Sequence, residues 1–418
     1  MEENMNSLTE FLREAKAAAR VAAILSDKER SALIVEMAAA LEESLPAILE
    51  ANAIDLEAAD RAAMVSAMRD RLLLNEDRVR DMATALREIA ALRDPIGSVI
   101  DGWRTAEGLK IEKISVPIGV ICAIYESRPN VTADVAALCL KSGNAAILKG
   151  GKEAAHSSSA IAAALQSVLT RHNLPSGIVA LLPDGSRETV KWLVRQDRYI
   201  DLIVPRGGEG LIRFVSENAT VPVVKHDKGV CHLYIHESAE YDMSEPIAIN
   251  AKVQRPSACN AIETLLIDRK VAAQFLPKLK AAFDLHHTEL RGCELTREII
   301  NIGAADEADW STEYLDNILS IKVVASIDEA IAHIFQYGSL HSEAIVANDA
   351  NAIESFLDRV DAACVYANAS TRFTDGGQFG FGAEVGISTN KLHARGPMGI
   401  RELTTYKYQI RGNGQIRG

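Results

Sequence analysis

Cysteine is scarce in this chain of 418 residues, which contains only six. No two cysteines form a CxxC pair and none stands at zinc-ligand spacing from a histidine, so the sequence indicates neither a disulfide framework nor a zinc site. Uncharged apolar runs are short, and none approaches the length of about 20 residues that a membrane-spanning helix requires. The first residues, MEENMNSLTEFLREAKAAAR, are charged and amphipathic and lack the apolar segment of a secretory signal. We therefore expect a protein of the reducing cytoplasm, without a membrane segment or a metal.

Basic residues are in the minority as well. The chain has 45 Lys and Arg against 57 Asp and Glu, and its net charge of −12 argues against a general nucleic-acid binder, which needs a basic surface. This balance still permits local basic pockets for a phosphorylated ligand. The apolar fraction of 48% is typical of a soluble globular protein. The length indicates two or three domains of about 150 residues each.

The pattern of apolar residues changes twice along the chain. Residues 5–95 are rich in Ala, Leu, Glu and Arg, and their apolar residues recur at the spacing of a helix. The segment SVIDGWRTAEGLKIEKISVP then alternates around a turn, which predicts a β-hairpin over 99–116. Such a hairpin serves either in subunit contacts or as an ordinary surface element. The C-terminal residues, GPMGIRELTTYKYQIRG, are typical of an extended arm.

Short apolar strands alternate with helices through the rest of the chain. They form two series, with strands predicted at 118–125, 144–149, 178–182 and 200–204, and then at 231–236, 262–267, 321–324, 344–347 and 363–367. This alternation predicts an α/β protein with two doubly wound parallel sheets, each covered by helices on both faces. Sheets of this kind bind ligands at the carboxyl ends of their strands.

Two strand ends of the first series combine glycines with cations. They are Lys149, Gly150 and Lys152 in ILKGGKEAA, and Arg206, Gly207 and Gly208 in IVPRGGEG. Glycine lets a ligand approach the backbone, and the N-terminus of the following helix favours anions. Neither segment is a GxGxxG or P-loop motif, and an ordinary tight turn explains either one alone. Two such turns in one sheet favour a nucleotide phosphate site.

Cys259, in KVQRPSACNAIETLL, is a candidate nucleophile. Lys252 and Arg255 precede it, and nearby cations lower the pKa of a thiol and raise its thiolate fraction. Most isolated cysteines are instead small core residues. That interpretation suits the cysteines in apolar runs, which are Cys122, Cys139 and Cys364. From the local sequence alone, both interpretations of Cys259 stay open.

Three further side chains could take part in catalysis or binding, although the sequence around them gives weaker support for such a role. His226 and His341 are candidate bases, although a single histidine is more often structural. Arg372, in the glycine-rich and aromatic segment STRFTDGGQFGFGAE, is a candidate anion anchor.

Several motifs together resemble those of a known family. VPIGVICAIYESRPN, NAAILKGG, PRGGEG and QRPSACNAIETLL occur in the order found in the aldehyde dehydrogenase superfamily. More closely, YESRPN, RPSACNAIETLL, YGSLHSEAIV, NASTRFTDGGQFGFGAEVGIST and RGPMG resemble the γ-glutamyl phosphate reductases of proline biosynthesis. The resemblance covers essentially the whole chain. It implies an aldehyde dehydrogenase-like fold whose cofactor domain and catalytic domain meet at an active-site cleft, with a small β oligomerisation element.

The resemblance also implies domain limits. The dinucleotide-binding domain would comprise 1–98 and 117–229, and the catalytic domain 230–375. The oligomerisation hairpin and arm would be 99–116 and 396–418. Residues 376–395 would return the chain to the cofactor domain.

The resemblance assigns roles to individual residues. Cys259 falls on the family's nucleophile, Lys149 on the lysine that holds the adenosine ribose, and Glu313 on the glutamate at the nicotinamide ribose. The turn 206–208 stands beside the pyrophosphate. Lys152 occupies a position where NAD-preferring relatives often carry an acid, and a cation there pairs with a 2′-phosphate, so NADPH is the expected cofactor.

Two features of the implied site depart from the hydrolytic relatives. Those enzymes carry a glutamate that activates water, whereas the corresponding segment 225–229 reads KHDKG. The oxyanion donor after the first strand is either Arg128 or Asn130, and the sequence does not decide between them. Among the cations, Lys252, Arg255 and Arg372 would hold the substrate's phosphate and α-carboxylate, unless they are solvated surface residues.

The implied reaction is the NADPH-dependent reduction of L-glutamyl 5-phosphate to L-glutamate 5-semialdehyde through a cysteine thioester. An NAD(P)-dependent semialdehyde dehydrogenase running in the oxidative direction is the alternative of the same class. A non-catalytic scaffold of the same fold is the alternative of a different class. We expect a homo-oligomer with a small-molecule substrate, while an association with the glutamate 5-kinase that makes the substrate stays open.

Overall fold

The computed structural model describes residues 2–183, 185–224 and 228–417. The chain divides into two compact units. The first unit comprises Met1–Lys225, Gly380–Gly386 and Met398–Gly418, and the second comprises His226–Phe379 and Ile387–Pro397. Among the described residues, no helix combines the length and the apolar character that a bilayer crossing requires.

Helices open the first unit, as the sequence predicts for residues 5–95. They are α1 (Glu2–Ala22), α2 (Asp27–Glu43), α3 (Leu45–Arg61), α4 (Ser66–Leu72) and α5 (Glu76–Ala91). The start of α2 is set by a capping box, in which the Ser26 hydroxyl accepts from the backbone N–H of Glu29 and the Glu29 carboxylate accepts from that of Ser26. Leu33, Met37 and Leu41 recur every four residues on α2 and are buried, so this face forms part of the core.

A hairpin and the C-terminal strand form a small antiparallel sheet. Its strands are β1 (Val99–Arg104), β2 (Lys110–Pro117) and β16 (Thr404–Arg411), in the order β1-β2-β16. The turn between β1 and β2 uses Gly108 at a φ of 88°, a conformation that glycine adopts without strain. The predicted hairpin is therefore confirmed, and the predicted C-terminal arm is its third strand.

The main sheet of the first unit has four parallel strands in the order β5-β4-β3-β6. The strands are β3 (Val120–Tyr125), β4 (Ala145–Lys149), β5 (Val179–Leu181) and β6 (Leu202–Arg206), and the helices between and after them are α6 (Asn130–Lys141), α7 (Ala155–Arg171), α8 (Arg187–Leu193) and α9 (Glu209–Asn218). β6 continues past its predicted end at residue 204. An edge strand tolerates Pro205 there, because its missing N–H interrupts no central ladder.

The second unit contains a parallel sheet of seven strands in the order β10-β9-β11-β8-β7-β12-β13. These strands are β7 (Cys231–Ile235), β8 (Ile262–Asp268), β9 (Glu289–Gly292), β10 (Gly303–Ala304), β11 (Ile318–Val324), β12 (Ser342–Val346) and β13 (Cys364–Ala367). The helices are α10 (Tyr241–Val253), α11 (Arg269–Leu285), α12 (Glu294–Ile299), α13 (Ile327–Tyr337) and α14 (Ala350–Arg359). Two short strands, β14 (Gly386–Ser388) and β15 (Gly396–Met398), form a separate sheet.

The sequence predicts five of the seven strands. The two that it misses, β9 and β10, lie at one edge of the sheet and are only four and two residues long. Edge strands this short contain no apolar run, so the pattern that marks a buried strand is absent from them.

Candidate active site

Cys259 lies in the loop that joins α10 to β8, and it is half-buried. The loop is folded by two backbone hydrogen bonds, from the N–H of Ala258 to the carbonyl of Arg255 (3.1 Å) and from the N–H of Ala261 to the carbonyl of Ala258 (2.9 Å). The nucleophile candidate is therefore on a compact turn and not inside an apolar element.

The backbone of this turn is packed from two sides. Gly229 approaches it so closely that a Cβ built on that glycine would lie 2.6 Å from the carbonyl carbon of Cys259. On the other side, the thiol of Cys231 donates to the carbonyl oxygen of Cys259 at 3.3 Å. These contacts leave the Cys259 main chain little room to move.

The residue after the nucleophile candidate fastens the same turn to a second segment. Asn260 is buried, its Nδ2 donates to the carbonyl of Thr374 (2.8 Å), and its own carbonyl accepts from the hydroxyl of Thr371 (2.6 Å). Thr374 is held in turn by hydroxyl contacts with Ser342 (2.7 Å) and Tyr366 (2.6 Å). Segment 371–374 therefore positions the loop that carries Cys259.

The remaining cysteines divide by burial. Cys122, Cys139 and Cys364 are buried, as expected for core residues, and burial raises the pKa of Cys122 to about 12. Cys231 is also fully buried, and burial raises the pKa of its thiol well above the ordinary value. A thiol so far from ionisation is a poor nucleophile. Of the six cysteines, all of which lie in the described ranges, only Cys259 and Cys293 are half-buried.

Lys252 does not stand at a surface. Its side chain is fully buried, and its Nζ donates to the carboxylate of Glu263 at 2.5 Å. Burial lowers the pKa of Lys252 and raises that of Glu263 to about 8, because each charge has lost water, while the attraction within the pair opposes both shifts. The predicted substrate role of Lys252 therefore has no support from its surroundings, which instead give it a structural partner.

Arg372 and Arg255 do lie near the nucleophile candidate. Burial lowers the pKa of Arg372, the charge of Arg255 lowers it further, and the charge of Cys259 acts in the opposite direction. The Nε of Arg372 donates to the side-chain oxygen of Gln254 at 2.8 Å, which orients the guanidinium. Two cations that share one region favour the binding of anions there.

A cleft of about 270 Å³ opens beside these residues. Its lining is mostly polar and consists of Asn250, Gln254, Arg372, Phe373, Asp375 and Gln378. Glu313 lies elsewhere in the second unit, in the segment before β11, where its charge contributes to the raised pKa of Glu263. The second unit thus brings together Cys259, Arg255 and Arg372, while Lys252 and Glu313 gather around Glu263.

In the first unit, the turn after β4 presents two lysines of different character. Lys149 is half-buried, and burial lowers its pKa against the opposing charges of Glu153 and Glu126. Glu153 points inward and accepts from the N–H (3.0 Å) and hydroxyl (2.7 Å) of Ser127. Lys152 is exposed and makes no ion pair with any residue that the structure describes. Lys152 is therefore available to an external anion.

The turn after β6 has an anion-binding geometry. The N–H of Gly208, which caps the start of α9, donates to the carboxylate of Glu126 at 2.8 Å. A Cβ on Gly207 would lie 2.6 Å from that carboxylate, so only glycine permits this approach. A backbone N–H at a helix start that binds a carboxylate is suited to a phosphate. The turn therefore fits the pyrophosphate of a dinucleotide, with Glu126 as a competing anion that sequence inspection did not single out.

The two oxyanion-donor candidates differ in their surroundings. Asn130 is the first residue of α6, and its Nδ2 donates to the carboxylate of Asp134 at 3.0 Å. Burial raises the pKa of Asp134 to about 6. Arg128 is exposed and precedes Pro129. Both residues therefore stay candidates for the oxyanion donor.

Two histidine predictions have different outcomes. His341 is buried, and its Nδ1 contacts the Ser342 hydroxyl at 2.9 Å and the Cys231 thiol at 3.7 Å, which favours a structural role over that of a base. His226 lies outside the described residues, as do the adjoining positions 225 and 227. In the part of the chain that the structure covers, no cluster of His, Cys, Asp or Glu has the arrangement of a metal site.

Comparison with known proteins connects this geometry to a family. The model of the aldehyde dehydrogenase family matches residues 2–289. The chain belongs to the aldehyde dehydrogenase family. This membership confirms the fold class that the motifs imply, and a structure of an acetylating aldehyde dehydrogenase from Geobacillus thermoglucosidasius shares the fold at 18% identity with a TM-score of 0.69.

Within the aldehyde dehydrogenase family, several relatives with high identity carry the same name. Gamma-glutamyl phosphate reductase from Sulfurovum sp. is 62% identical over 407 residues, which are 97% of this chain and 99% of the relative. The reductase of the same name from Nautilia profundicola is 60% identical over 98% of this chain and 100% of its own. The crystal structure of gamma-glutamyl phosphate reductase from Thermotoga maritima has a TM-score of 0.97 at 46% identity, covering 98% of this chain and 100% of that one. The resemblance read from the motifs is thereby confirmed.

Proposed function

We propose that this aldehyde dehydrogenase family member catalyses the NADPH-dependent reduction of L-glutamyl 5-phosphate to L-glutamate 5-semialdehyde and phosphate, a step of proline biosynthesis. The full-length similarity to reductases of that name supports the reaction class. One structural observation carries the chemistry. Cys259 is half-buried on a rigid turn beside two guanidinium groups, whereas the neighbouring thiol of Cys231 is buried and protonated.

The first step is attack by the Cys259 thiolate on the acyl carbon. The bond from sulfur to carbon forms as the bond from carbon to the phosphate oxygen breaks, and phosphate leaves with the electron pair. Arg255 and Arg372 stabilise the thiolate and the anionic substrate through their charges. The product is a thioester on Cys259.

The second step converts the thioester into the aldehyde. NADPH supplies the hydride when it is bound. The backbone N–H of Cys259 stabilises the oxyanion that develops on the former acyl oxygen, and one such donor is worth about 3 kcal/mol. The family resemblance implies a second donor, which would be Arg128 or Asn130. Collapse of the resulting thiohemiacetal releases the semialdehyde and restores the thiolate.

The first unit offers the residues that would hold the cofactor. Lys149 and Gly150 would lie at the adenosine ribose, and the turn 206–208 at the pyrophosphate, where the Gly208 N–H already binds an anionic group. Lys152 would pair with the 2′-phosphate, since it is exposed and Glu153 is turned away toward Ser127. Glu313 of the second unit would contact the nicotinamide ribose.

The hairpin and the C-terminal strand would join copies of the chain. Their sheet presents a group of exposed large apolar side chains, which are Val99, Ile100, Trp103, Tyr406, Tyr408 and Ile410. Apolar residues clustered in this way on a monomer favour an association surface. We therefore propose a homo-oligomer assembled through 99–116 and 396–418, and a smaller native mass of an Ile100→Asp variant would test it.

The reaction is tested in reverse with L-glutamate 5-semialdehyde and NADP⁺, by following NADPH formation with and without phosphate. We expect sustained turnover only when phosphate, or arsenate in its place, is present to attack the thioester. Without either anion, each active site should produce at most one NADPH. Rapid and sustained oxidation without phosphate would identify a hydrolytic semialdehyde dehydrogenase instead.

A further inference from the structure

The cleft that Arg372 lines is bordered by opposite charges that face one ligand-sized space. Arg372 provides a guanidinium and Asp375 a carboxylate, and both line the cleft of about 270 Å³. The charges of Asp375 and Cys259 both act on Arg372, so each of these two groups lies within electrostatic reach of the guanidinium. In the described residues, however, Arg372 and Asp375 form no direct ion pair.

Both charged groups retain unused hydrogen-bonding capacity. The Oδ1 of Asp375 accepts from the N–H groups of Gly377 (2.9 Å) and Gln378 (3.2 Å), which fixes the carboxylate, while its Oδ2 has no hydrogen bond within the described chain. Arg372 uses Nε toward Gln254, and its two terminal nitrogens have no hydrogen-bond partner among the described residues. A fixed cation and a fixed anion, each with free capacity, are suited to a zwitterion.

Asp375 is also coupled by the chain to the nucleophile loop. It directly follows Thr374, whose carbonyl accepts from the side chain of Asn260, the neighbour of Cys259. The position of the carboxylate relative to the thiol is therefore set by short covalent and hydrogen-bonded links.

We propose that Asp375 binds the α-ammonium of the substrate and that Arg372 binds its α-carboxylate. This assignment rests on the proposed function, because it concerns the amino-acid end of the same substrate. It leaves the exposed Arg255 for the phosphate end. It also makes Asp375 a specificity-determining residue, which favours an aminated acyl chain over the same chain without the amine.

The variant Asp375→Asn tests this role. Asparagine retains an oxygen that accepts from Gly377 and Gln378, but it lacks the negative charge. The matched control is Asp349→Asn, since Asp349 caps α14 in the same way, by accepting from the N–H groups of Asn351 and Ala352. Both variants are assayed as the full chain with NADP⁺ and phosphate, using L-glutamate 5-semialdehyde and 5-oxopentanoate, which lacks only the amine.

We expect Asp375→Asn to raise KM for the semialdehyde by about 10- to 100-fold, the loss typical of a hydrogen bond to a charged group. The KM for 5-oxopentanoate and both kcat values should stay near those of the unmodified protein, and Asp349→Asn should change none of them. Equal losses with both aldehydes, or no loss with either, would overturn the assignment.

A binding measurement separates this inference from the proposed reaction. Calorimetric titration should show that the unmodified protein binds L-glutamate more tightly than glutarate and that Asp375→Asn removes the difference. Equal binding of the two acids by the unmodified protein would overturn the assignment whatever the turnover. Preferential binding of L-glutamate without any phosphate-dependent turnover would overturn the proposed reaction and leave the amine contact standing.

Discussion

The backbones of Gly229 and Cys259 pack directly against each other in the second unit. A Cβ built on Gly229 would stand 2.6 Å from the carbonyl carbon of Cys259 and 2.7 Å from its Cα, both closer than real Cβ contacts. Gly229→Ala should therefore displace the nucleophile and lower kcat by at least tenfold, since catalytic geometry is lost over about 1 Å. The matched control is Gly210→Ala on α9, where a Cβ meets nothing within 4 Å.

The rate of alkylation by iodoacetamide provides a second measurement of this displacement. The Gly229→Ala variant should react at a changed rate, and its melting temperature should fall. If kcat matches that of the Gly210→Ala control, the close packing of Gly229 has no part in positioning the thiol.

Cys259→Ser should abolish turnover while cofactor binding persists. A serine hydroxyl does not ionise near neutral pH, and loss of a nucleophile usually costs at least about a thousandfold in rate. Cys293→Ser is the control, since Cys293 is half-buried like Cys259 but caps α12 in another part of the unit. Residual activity above about a thousandth would contradict the thioester mechanism.

Lys152→Glu should shift cofactor preference from NADPH toward NADH. The introduced carboxylate repels a 2′-phosphate and accepts a hydrogen bond from a 2′-hydroxyl. The ratio of kcat/KM for the two cofactors measures the shift, and Lys191→Glu on α8 serves as an exposed charge-reversal control. An unchanged ratio would show that another residue, such as Arg206, contacts the phosphate.

Glu126→Gln should tighten NADP⁺ binding. The Glu126 carboxylate accepts the Gly208 N–H that the pyrophosphate would use, so two anions compete for one donor. Equilibrium titration should show that the variant has a lower Kd for NADP⁺ and also for inorganic pyrophosphate, which is the simpler probe. The control Glu188→Gln, at the start of α8, should leave both Kd values unchanged. Weaker binding by Glu126→Gln would instead mean that the carboxylate supports the bound cofactor.

Lys252 and Glu263 allow a test that separates stability from substrate binding. Lys252→Met should lower the free energy of unfolding by about 3–5 kcal/mol, because it leaves a buried carboxylate without its partner. The double variant Lys252→Met with Glu263→Leu should recover most of that loss in urea denaturation. If the double variant is stable and active, Lys252 has no substrate role; a stable double variant without activity would restore that role.

The local sequence was sufficient to predict the helices and strands in which apolar residues recur at a regular spacing. The helices of residues 5–95, the buried strands β3, β4, β7 and β8, and the hairpin are all recognisable because burial selects apolar residues at a fixed period. Cys259 stood out as a candidate nucleophile as well, since cations and a proline precede it in the chain. The short edge strands β9 and β10 were not recognisable, because segments of four and two residues are too short to show a period.

Only the tertiary structure decided the partners of the charged residues. Lys252 and Arg255 look equivalent in sequence, yet one is enclosed with Glu263 and the other is exposed near Arg372. Gly229 meets Cys259, and Glu126 meets Gly208, across 30 and 82 residues of chain respectively. Sequence patterns indicate whether a position is buried and with what period buried positions recur along the chain. They do not indicate which residues distant in the chain will be in contact, because those contacts are set by the order of the strands and the packing of the helices.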